Sequence, residues 1–111
     1  MATTPLNAFK NKTFEITTAA TNVYTVSPGV TGIILGTQVA NVSGATASLT
    51  AWHNRGVVST ELVKNFDIPP NDAMSIVAGK LVLEPGDSIR VQASSNNALK
   101  IVVSVLESAN E

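Results

Sequence analysis

Cysteine is absent from the 111 residues of this chain, and charged residues are scarce. Without cysteine the chain can form neither disulfides nor thiolate metal sites. Charged residues make up only 14% of the sequence, against about 25% in an average soluble domain. The net charge is -1 and the seven Lys and Arg residues are spread singly, so the sequence offers no basic stripe for phosphates or anionic lipid. We therefore expect neither a nucleic-acid partner nor a membrane partner.

Long apolar runs are lacking as well. None approaches the roughly 20 residues that a membrane-spanning helix needs. Residues 1–5 read Met-Ala-Thr-Thr-Pro and lack the basic and then apolar order of a secretory signal peptide. We expect a protein made in the cytoplasm of the cell that expresses it. Its length suits a single domain with one core.

What the sequence does contain is short β-branched runs separated by turn residues, a pattern typical of an antiparallel sandwich or barrel. It predicts an all-β, jelly-roll-like sandwich of about eight strands. Residues 1–11 show no periodicity and are interpreted as an extended N-terminal arm, followed by a domain over residues 12–111. The strands are predicted in nine pieces, at residues 13–18, 22–26, 31–42, 46–53, 58–66, 73–77, 80–83, 88–93 and 99–106.

The sequence also predicts the type of one turn, a bulge in one strand and the residues that face inward. Pro85-Gly86 is the central pair of a type II turn, because Pro fixes φ and Gly accepts a positive φ. Gly32 and Gly36 inside a long strand predict a bulge or a close approach of another backbone. Alternation assigns the following residues to the inward face: Phe14, Ile16, Ile33, Leu35, Val39, Ala47, Leu49, Ala51, Leu81, Leu83, Ile89, Val91, Ala93, Leu99, Ile101, Val103 and Val105.

A search for catalytic chemistry finds little. His53 is the single histidine, and no base, orienting acid or co-ligand accompanies it in a motif. The carboxylates are scattered, and the acidic and amide residues of the loops do not follow a calcium-loop pattern. Phosphate loops, nucleophile elbows and zinc helices are absent from the sequence. We therefore predict no catalytic residue, no cofactor and no metal, and a protein that is not an enzyme.

Five residues are candidates for contacts with other molecules. Leu6 and Phe9 lie in the predicted arm and could anchor it to a neighbour. Trp52 falls on the face opposite Leu49 and Ala51, where an aromatic ring serves a partner chain or a sugar, or else caps the open end of the sandwich. His53 and Tyr24 complete the set of candidate interface residues. A glycan-binding module using Trp52, His53 and Asn54 is an alternative of a different class.

Two stretches of the sequence resemble small virion structural proteins of tailed bacteriophages. The first is residues 24–44, with Tyr-Thr-Val-Ser-Pro, Gly-Ile-Ile-Leu and Val-Ala-Asn-Val-Ser-Gly. The second is residues 66–91, with Phe-Asp-Ile-Pro-Pro-Asn-Asp-Ala and Gly-Lys-Leu-Val-Leu-Glu-Pro-Gly-Asp-Ser-Ile-Arg-Val. The resemblance covers roughly residues 12–107 and is nearest to small structural proteins of myophages that infect marine cyanobacteria.

The resemblance implies a location in the virion and no catalytic residues. Similar folds serve as capsid decoration proteins, baseplate parts and fibre-attachment modules. It therefore implies a decoration, or cement, protein that stabilises the head, with a tail, baseplate, neck or fibre-attachment component as the alternative. The implied partners are other virion proteins, a major capsid protein or tail and baseplate proteins, together with further copies of the same chain.

Overall fold

The structure, a computed structural model, describes residues 7–76 and 80–109. Within these ranges the chain forms nine β-strands and no helix. The strands are β1 (Asn7–Ile16), β2 (Thr21–Thr25), β3 (Val30–Asn41), β4 (Ala47–Arg55), β5 (Val58–Ile68), β6 (Ala73–Met74), β7 (Leu81–Leu83), β8 (Ser88–Ala93) and β9 (Leu99–Ala109).

The strands form two antiparallel sheets that pack face to face. The first sheet has the order β1-β9-β3, and both β6 and β7 pair with the far edge of β3. The second sheet has the order β2-β8-β4-β5. Counting β6 and β7 as one interrupted strand, this order is that of a jelly roll, in which strands distant in sequence become neighbours. The predicted antiparallel β-sandwich is confirmed.

Connectivity gives the sandwich two ends, named here after the strands whose connection lies there. The β4–β5 end holds the loops at residues 26–29, 56–57 and 84–87, together with the start of β1 and the end of β9. The β3–β4 end holds the loops at residues 17–20, 42–46, 69–72 and 94–98. At the β4–β5 end, the amide of Asp87 donates to the carbonyl of Glu84 at 2.9 Å and Gly86 has a φ of 89°. This geometry is the predicted type II turn.

The core between the sheets is almost entirely aliphatic. Its fully buried members include Ile16, Ile34, Leu49, Ile101 and Val103. The inward residues that alternation predicted for β4, β8 and β9 all lie in this core. The exposed fourth strand of the second sheet, β5, carries two register shifts against β4, and such bulges discourage further strands from pairing with a sheet edge.

The inward face predicted for the first half of β3 is wrong. Ile34 is fully buried, whereas Ile33 is half-buried and Leu35 is exposed. The cause is a register shift between Ile34 and Gly36 opposite β9, which adds one residue and reverses the alternation. The bulge predicted for this strand is confirmed at Gly36. Gly32 meets side chains rather than backbone, since an added Cβ would lie 3.1 Å from both the Tyr24 hydroxyl and a Val26 methyl carbon.

The boundary of the predicted N-terminal arm also differs. Strand β1 begins at Asn7, not near Thr13, and pairs with β9 without a register shift from Asn7↔Ser108 to Ile16↔Leu99. Residues 7–11 therefore belong to the sheet, because β9 extends far enough to supply backbone partners that no side-chain periodicity revealed. Residues 1–6 of the predicted arm and Val77 of the predicted sixth strand lie outside the described residues.

Candidate assembly surfaces

A buried carboxylate organises the β4–β5 end. The Asp87 side chain is 3% exposed. Its Oδ1 accepts a hydrogen bond from Arg55 Nε at 2.9 Å, and its Oδ2 accepts one from Arg55 Nη2 at 2.8 Å. Oδ2 also accepts from the backbone amide of Glu84 at 2.9 Å and lies 3.1 Å from His53 Nε2. The turn before β8 is thereby fastened to the end of β4.

The chemistry of this cluster is structural. The bidentate Arg55 guanidinium holds the pKa of Asp87 well below its usual range, although burial acts in the opposite direction. Asp87 is therefore ionised and can only accept hydrogen bonds, so His53 Nε2 must carry the proton between them. A carboxylate that is already bound on both oxygens is a poor general base. The structure thus places an acid, Asp87, beside His53, a contact that the sequence did not predict. The cluster stabilises the turn at residues 84–87.

A second polar group bridges the two sheets at the same end. The hydroxyl of Tyr24 donates to Glu107 Oε2 at 2.6 Å, and Lys10 Nζ lies 2.9 Å from Glu107 Oε1. These two contacts lower the pKa of Glu107, while burial and the same carboxylate raise the pKa of Tyr24. The residues line a polar groove of about 630 Å³ between β1 and β2.

The outer face of the first sheet carries an apolar row across four strands. Phe9 on β1 pairs with Leu106 on β9, Leu106 pairs with Ile33 on β3, and Ile33 pairs with Val82 on β7. Phe9 is 76% exposed and Val82 is 55% exposed, while Leu106 and Ile33 are half-buried. We call these four residues the apolar row. An antiparallel sheet that faces water on one side normally carries polar residues at such positions.

Beside the apolar row lies a shallow trough on the same outer face. It has a volume of about 740 Å³. The residues that line it are Gly36, Thr37, Gln38, Ala40, Val42, Ala73, Met74, Ser75, Lys100, Val102 and Ser104. Gly36 and Ala40 on β3 leave the centre low, Val102 on β9 supplies an apolar wall on one side, and Ala73 on β6, the cross-strand partner of Ala40, lies on the other side. The outer face therefore combines a raised apolar row with an adjacent depression, which we call the trough.

Sequence reasoning missed the apolar row, although a signal was present. Strands β3 and β7 contain the unbroken apolar runs at residues 33–35 and 81–83, and β9 contains residues 101–103 and 105–106. Strands that are covered on both faces have such runs, while half-exposed strands alternate. The apolar runs in these strands are therefore a sequence signal of an apolar outer face on the first sheet.

The candidate interface residues fall in different environments. Leu6 lies outside the described residues. Phe9 is exposed within the apolar row, while Tyr24 is buried and His53 faces Asp87. Trp52 is half-buried, pairs with Arg90 and Glu61, and is not part of the aliphatic core. Among the four described residues, Tyr24 and His53 lie on either side of Ile89 in one cross-strand row, and the interface role of each stays a prediction.

The glycan-binding arrangement is weakened by these contacts. His53 is engaged by Asp87, and Asn54 Oδ1 accepts a hydrogen bond from Ser59 Oγ at 2.6 Å. Trp52 remains as the partly exposed ring of the proposed trio. Over residues 7–76 and 80–109, no three His, Asp or Glu side chains are grouped as metal ligands would be. In the same ranges no helix could span a membrane.

Comparisons with known proteins identify similar folds. No protein-family model matches the chain, and no curated protein matches it. A chain from the disulfide-linked pili of Bacillus endospore appendages has a TM-score of 0.59 at 9% identity, covering 97% of this chain and 90% of that one. A chain from the acid-stable capsid of Helicobacter pylori bacteriophage KHP30 has a TM-score of 0.59 at 10% identity, covering 96% of this chain and 90% of that one. At these identities the likeness shows a shared fold.

Proposed function

We propose that this chain is a non-enzymatic structural protein of a tailed-phage virion, and specifically a decoration protein that stabilises the head. The observation that carries the proposal is the outer face of the first sheet, where the described residues, 7–76 and 80–109, leave an apolar row and a trough uncovered. Exposed apolar surfaces rimmed by polar residues mark contacts with other proteins. In a particle this face would be buried against a neighbouring chain.

The fold comparisons support the same class. The Bacillus pili and the KHP30 capsid are both assemblies of many subunits, and a jelly roll suits such use because its rigid sheets present broad faces. The present chain has no cysteine, so it cannot be linked to its neighbours by disulfides. Modest contacts are sufficient when many copies bind together, because each bound neighbour raises the effective concentration of the next contact.

Two alternatives belong with the proposal. A tail, baseplate, neck or fibre-attachment component would use the same face and the same fold. A glycan-binding module would use Trp52 on the outer face of the second sheet. The narrower proposal of a phage that infects marine cyanobacteria rests on the sequence resemblance of residues 24–44 and 66–91.

Cryo-electron microscopy of purified particles of the encoding phage tests the proposal. The sandwich should fit into density repeated over the icosahedral head, with the outer face of the first sheet against another chain. Density restricted to the tail or neck would favour the attachment alternative, and absence of the protein from particles would refute both. Glycan binding that is lost in Trp52→Ala and kept in Phe66→Ala, which removes another exposed aromatic side chain, would instead support the glycan-binding module.

A further inference from the structure

We propose that two copies of this chain pack face to face through the outer surface of the first sheet, with the apolar row of each copy seated over the trough of the other. This proposal names the occupant of the face on which the proposed function rests. It concerns self-association in solution, so it can be tested without a phage particle.

The positions of the row and trough make the face self-complementary. On β9, Leu106 of the apolar row and Val102 of the trough lie on either side of Ser104, each two residues away. A two-fold axis in the plane of the face, crossing the strands level with Ser104, would place Leu106 of each copy over Val102 of the other. The same axis brings Val82 toward the side of the trough at Ala73. Such an interface is isologous, because each copy contributes both the row and the trough.

Charge does not oppose this pairing. Within the paired strands of the face, the charged outward residues are Glu15 and Lys100, which are direct cross-strand partners on β1 and β9. Each copy thus brings one acid and one base that already lie side by side. Like charges that face each other across an interface lower the affinity. Glu15 and Lys100 lie away from the centre of the face at Ser104, so the two-fold axis brings no like charges together there.

The area is sufficient for a stable dimer. Strands β1, β9 and β3 contribute about ten residues each, and β6 and β7 add two and three residues. These roughly 35 residues lie about 3.4 Å apart along strands that are about 4.8 Å apart. The projected area is therefore about 570 Å² per copy, and the side-chain relief makes the accessible area larger. Two such faces together bury about 1,200 Å² or more, the lower limit for specific protein interfaces. The apolar runs in β3, β7 and β9 supply the hydrophobic centre.

Sedimentation equilibrium of the full chain tests the proposal. We expect a dimer at micromolar concentrations. The double variant Phe9→Glu/Val82→Glu should raise the dimer Kd at least tenfold by putting charges in the row. Gly36→Arg should do the same from the trough, and it should leave the fold intact because a Cβ at Gly36 meets no atom within 4 Å. Val57→Glu is the matched control, since Val57 is fully exposed in the β4–β5 connection, away from this face.

Site-specific crosslinking distinguishes this face from any other contact. Because the chain has no cysteine, Ser104→Cys supplies one thiol per copy close to the proposed axis. A bis-maleimide that spans about 10 Å, the usual separation of packed sheets, should crosslink two copies efficiently, while Val57→Cys should not crosslink. A monomeric wild type, or a dimer unaffected by both the row and trough variants, would refute the proposal. A monomer in solution that nevertheless appears on phage heads would leave the proposed function standing and show that the face contacts another virion protein.

Discussion

The two ends of the sandwich are held by different kinds of buried polar residue. At the β4–β5 end the anchor is ionised Asp87, and the three ion pairs that Lys and Arg form among the described residues all lie there. At the β3–β4 end the anchor is neutral Asn41, which is 2% exposed. One end depends on charge, while the other depends on neutral hydrogen bonds.

The Asn41 side chain uses its full bonding capacity. Its Nδ2 donates to the carbonyls of Ala45 and Ile68, each at 2.8 Å. Its Oδ1 accepts from the amide of Ser43 at 2.9 Å and from the Ser43 hydroxyl at 2.7 Å. Asn41 therefore ties the β3–β4 loop to the end of β5. Acid should weaken the Asp87 end and salt should weaken only the exposed ion pairs at that end, while the Asn41 end should stay nearly unchanged in both.

Placing a charge at the neutral end should have the largest effect. In Asn41→Asp, the carboxylate would face the carbonyls of Ala45 and Ile68, and none of the hydrogen-bond partners described above is a cation. An uncompensated buried charge costs about 3–5 kcal/mol, so we expect a loss of that size at pH 7. The carboxyl pKa would be raised, and since the folded state then holds its proton more tightly, stability should fall as pH rises.

Urea unfolding at pH 4.5 and pH 7.5 measures this difference. The exposed Asn97→Asp is a suitable control, because Asp tolerates the positive φ that Asn97 adopts almost as well as Asn does. A variant Asn41→Asp that is as stable as wild type at pH 7.5, or that gains stability as pH rises, would contradict the neutral anchor.

Removing the charge at the other end should have the next largest effect. Asp87→Asn weakens the charge-assisted bonds to Arg55 and the Glu84 amide, for which about 2 kcal/mol is a reasonable loss at pH 7. The sign of the pH dependence is opposite to that of Asn41→Asp. The folded pKa of Asp87 lies well below its unfolded value of about 3.9, so wild-type stability is fully present above that value and is lost as pH falls below it.

Acid titration of the free energy of unfolding measures this contribution. The profile of Asp87→Asn should be flatter than that of wild type below pH 4, and the two curves should converge. Asp72→Asn is the control, because Asp72 is an exposed acid at the β3–β4 end. Equal acid slopes for wild type and Asp87→Asn would show that Asp87 does not carry the acid sensitivity of this end.

The sequence was sufficient for the strands, because period-2 alternation and turn chemistry are local properties. The Glu84–Asp87 turn and the bulge at Gly36 followed from Pro and Gly alone. Asp87 was one of the loop acids for which the sequence predicted no metal site. Its real partner, Arg55, lies 32 positions away, and only the pairing of β4 with β8 brings the two together. Such long-range partners have no local signature.

The start of β1 and the apolar row show the same limit. Residues 7–11 contain no alternating pattern, and they form strand because β9 offers a continuous backbone edge. Phe9 was predicted to contact a neighbour from a free arm, whereas the structure places it within a sheet. Its alignment with Leu106, Ile33 and Val82 depends on strand order, which periodicity does not determine. The unbroken apolar runs of β3, β7 and β9 are a signal of an apolar outer face, but they do not identify what contacts it.

A smaller effect is expected where Tyr24 bridges the sheets. Tyr24→Phe keeps the ring and removes the hydrogen bond to Glu107, at a cost of about 1 kcal/mol. Glu107 would lose the contact that contributes most to its lowered pKa, so that pKa should rise toward its usual value while Lys10 still holds it partly down. An NMR titration of the Glu107 carboxyl carbon measures the change. An unchanged Glu107 pKa would mean that Lys10 alone lowers it.

The smallest effect should come from the exposed part of the same cluster. Lys10 is 57% exposed, and a surface ion pair is worth about 0.5 kcal/mol, so Lys10→Met should lose no more than that. At about 1 M salt the screening length falls to about 3 Å, and the difference from wild type should disappear. The loss caused by Asp87→Asn should persist in the same salt, because the Asp87 carboxylate is buried and its bonds are direct. If salt abolished both losses equally, the charged end would be held by solvent-exposed attraction rather than by a buried anchor.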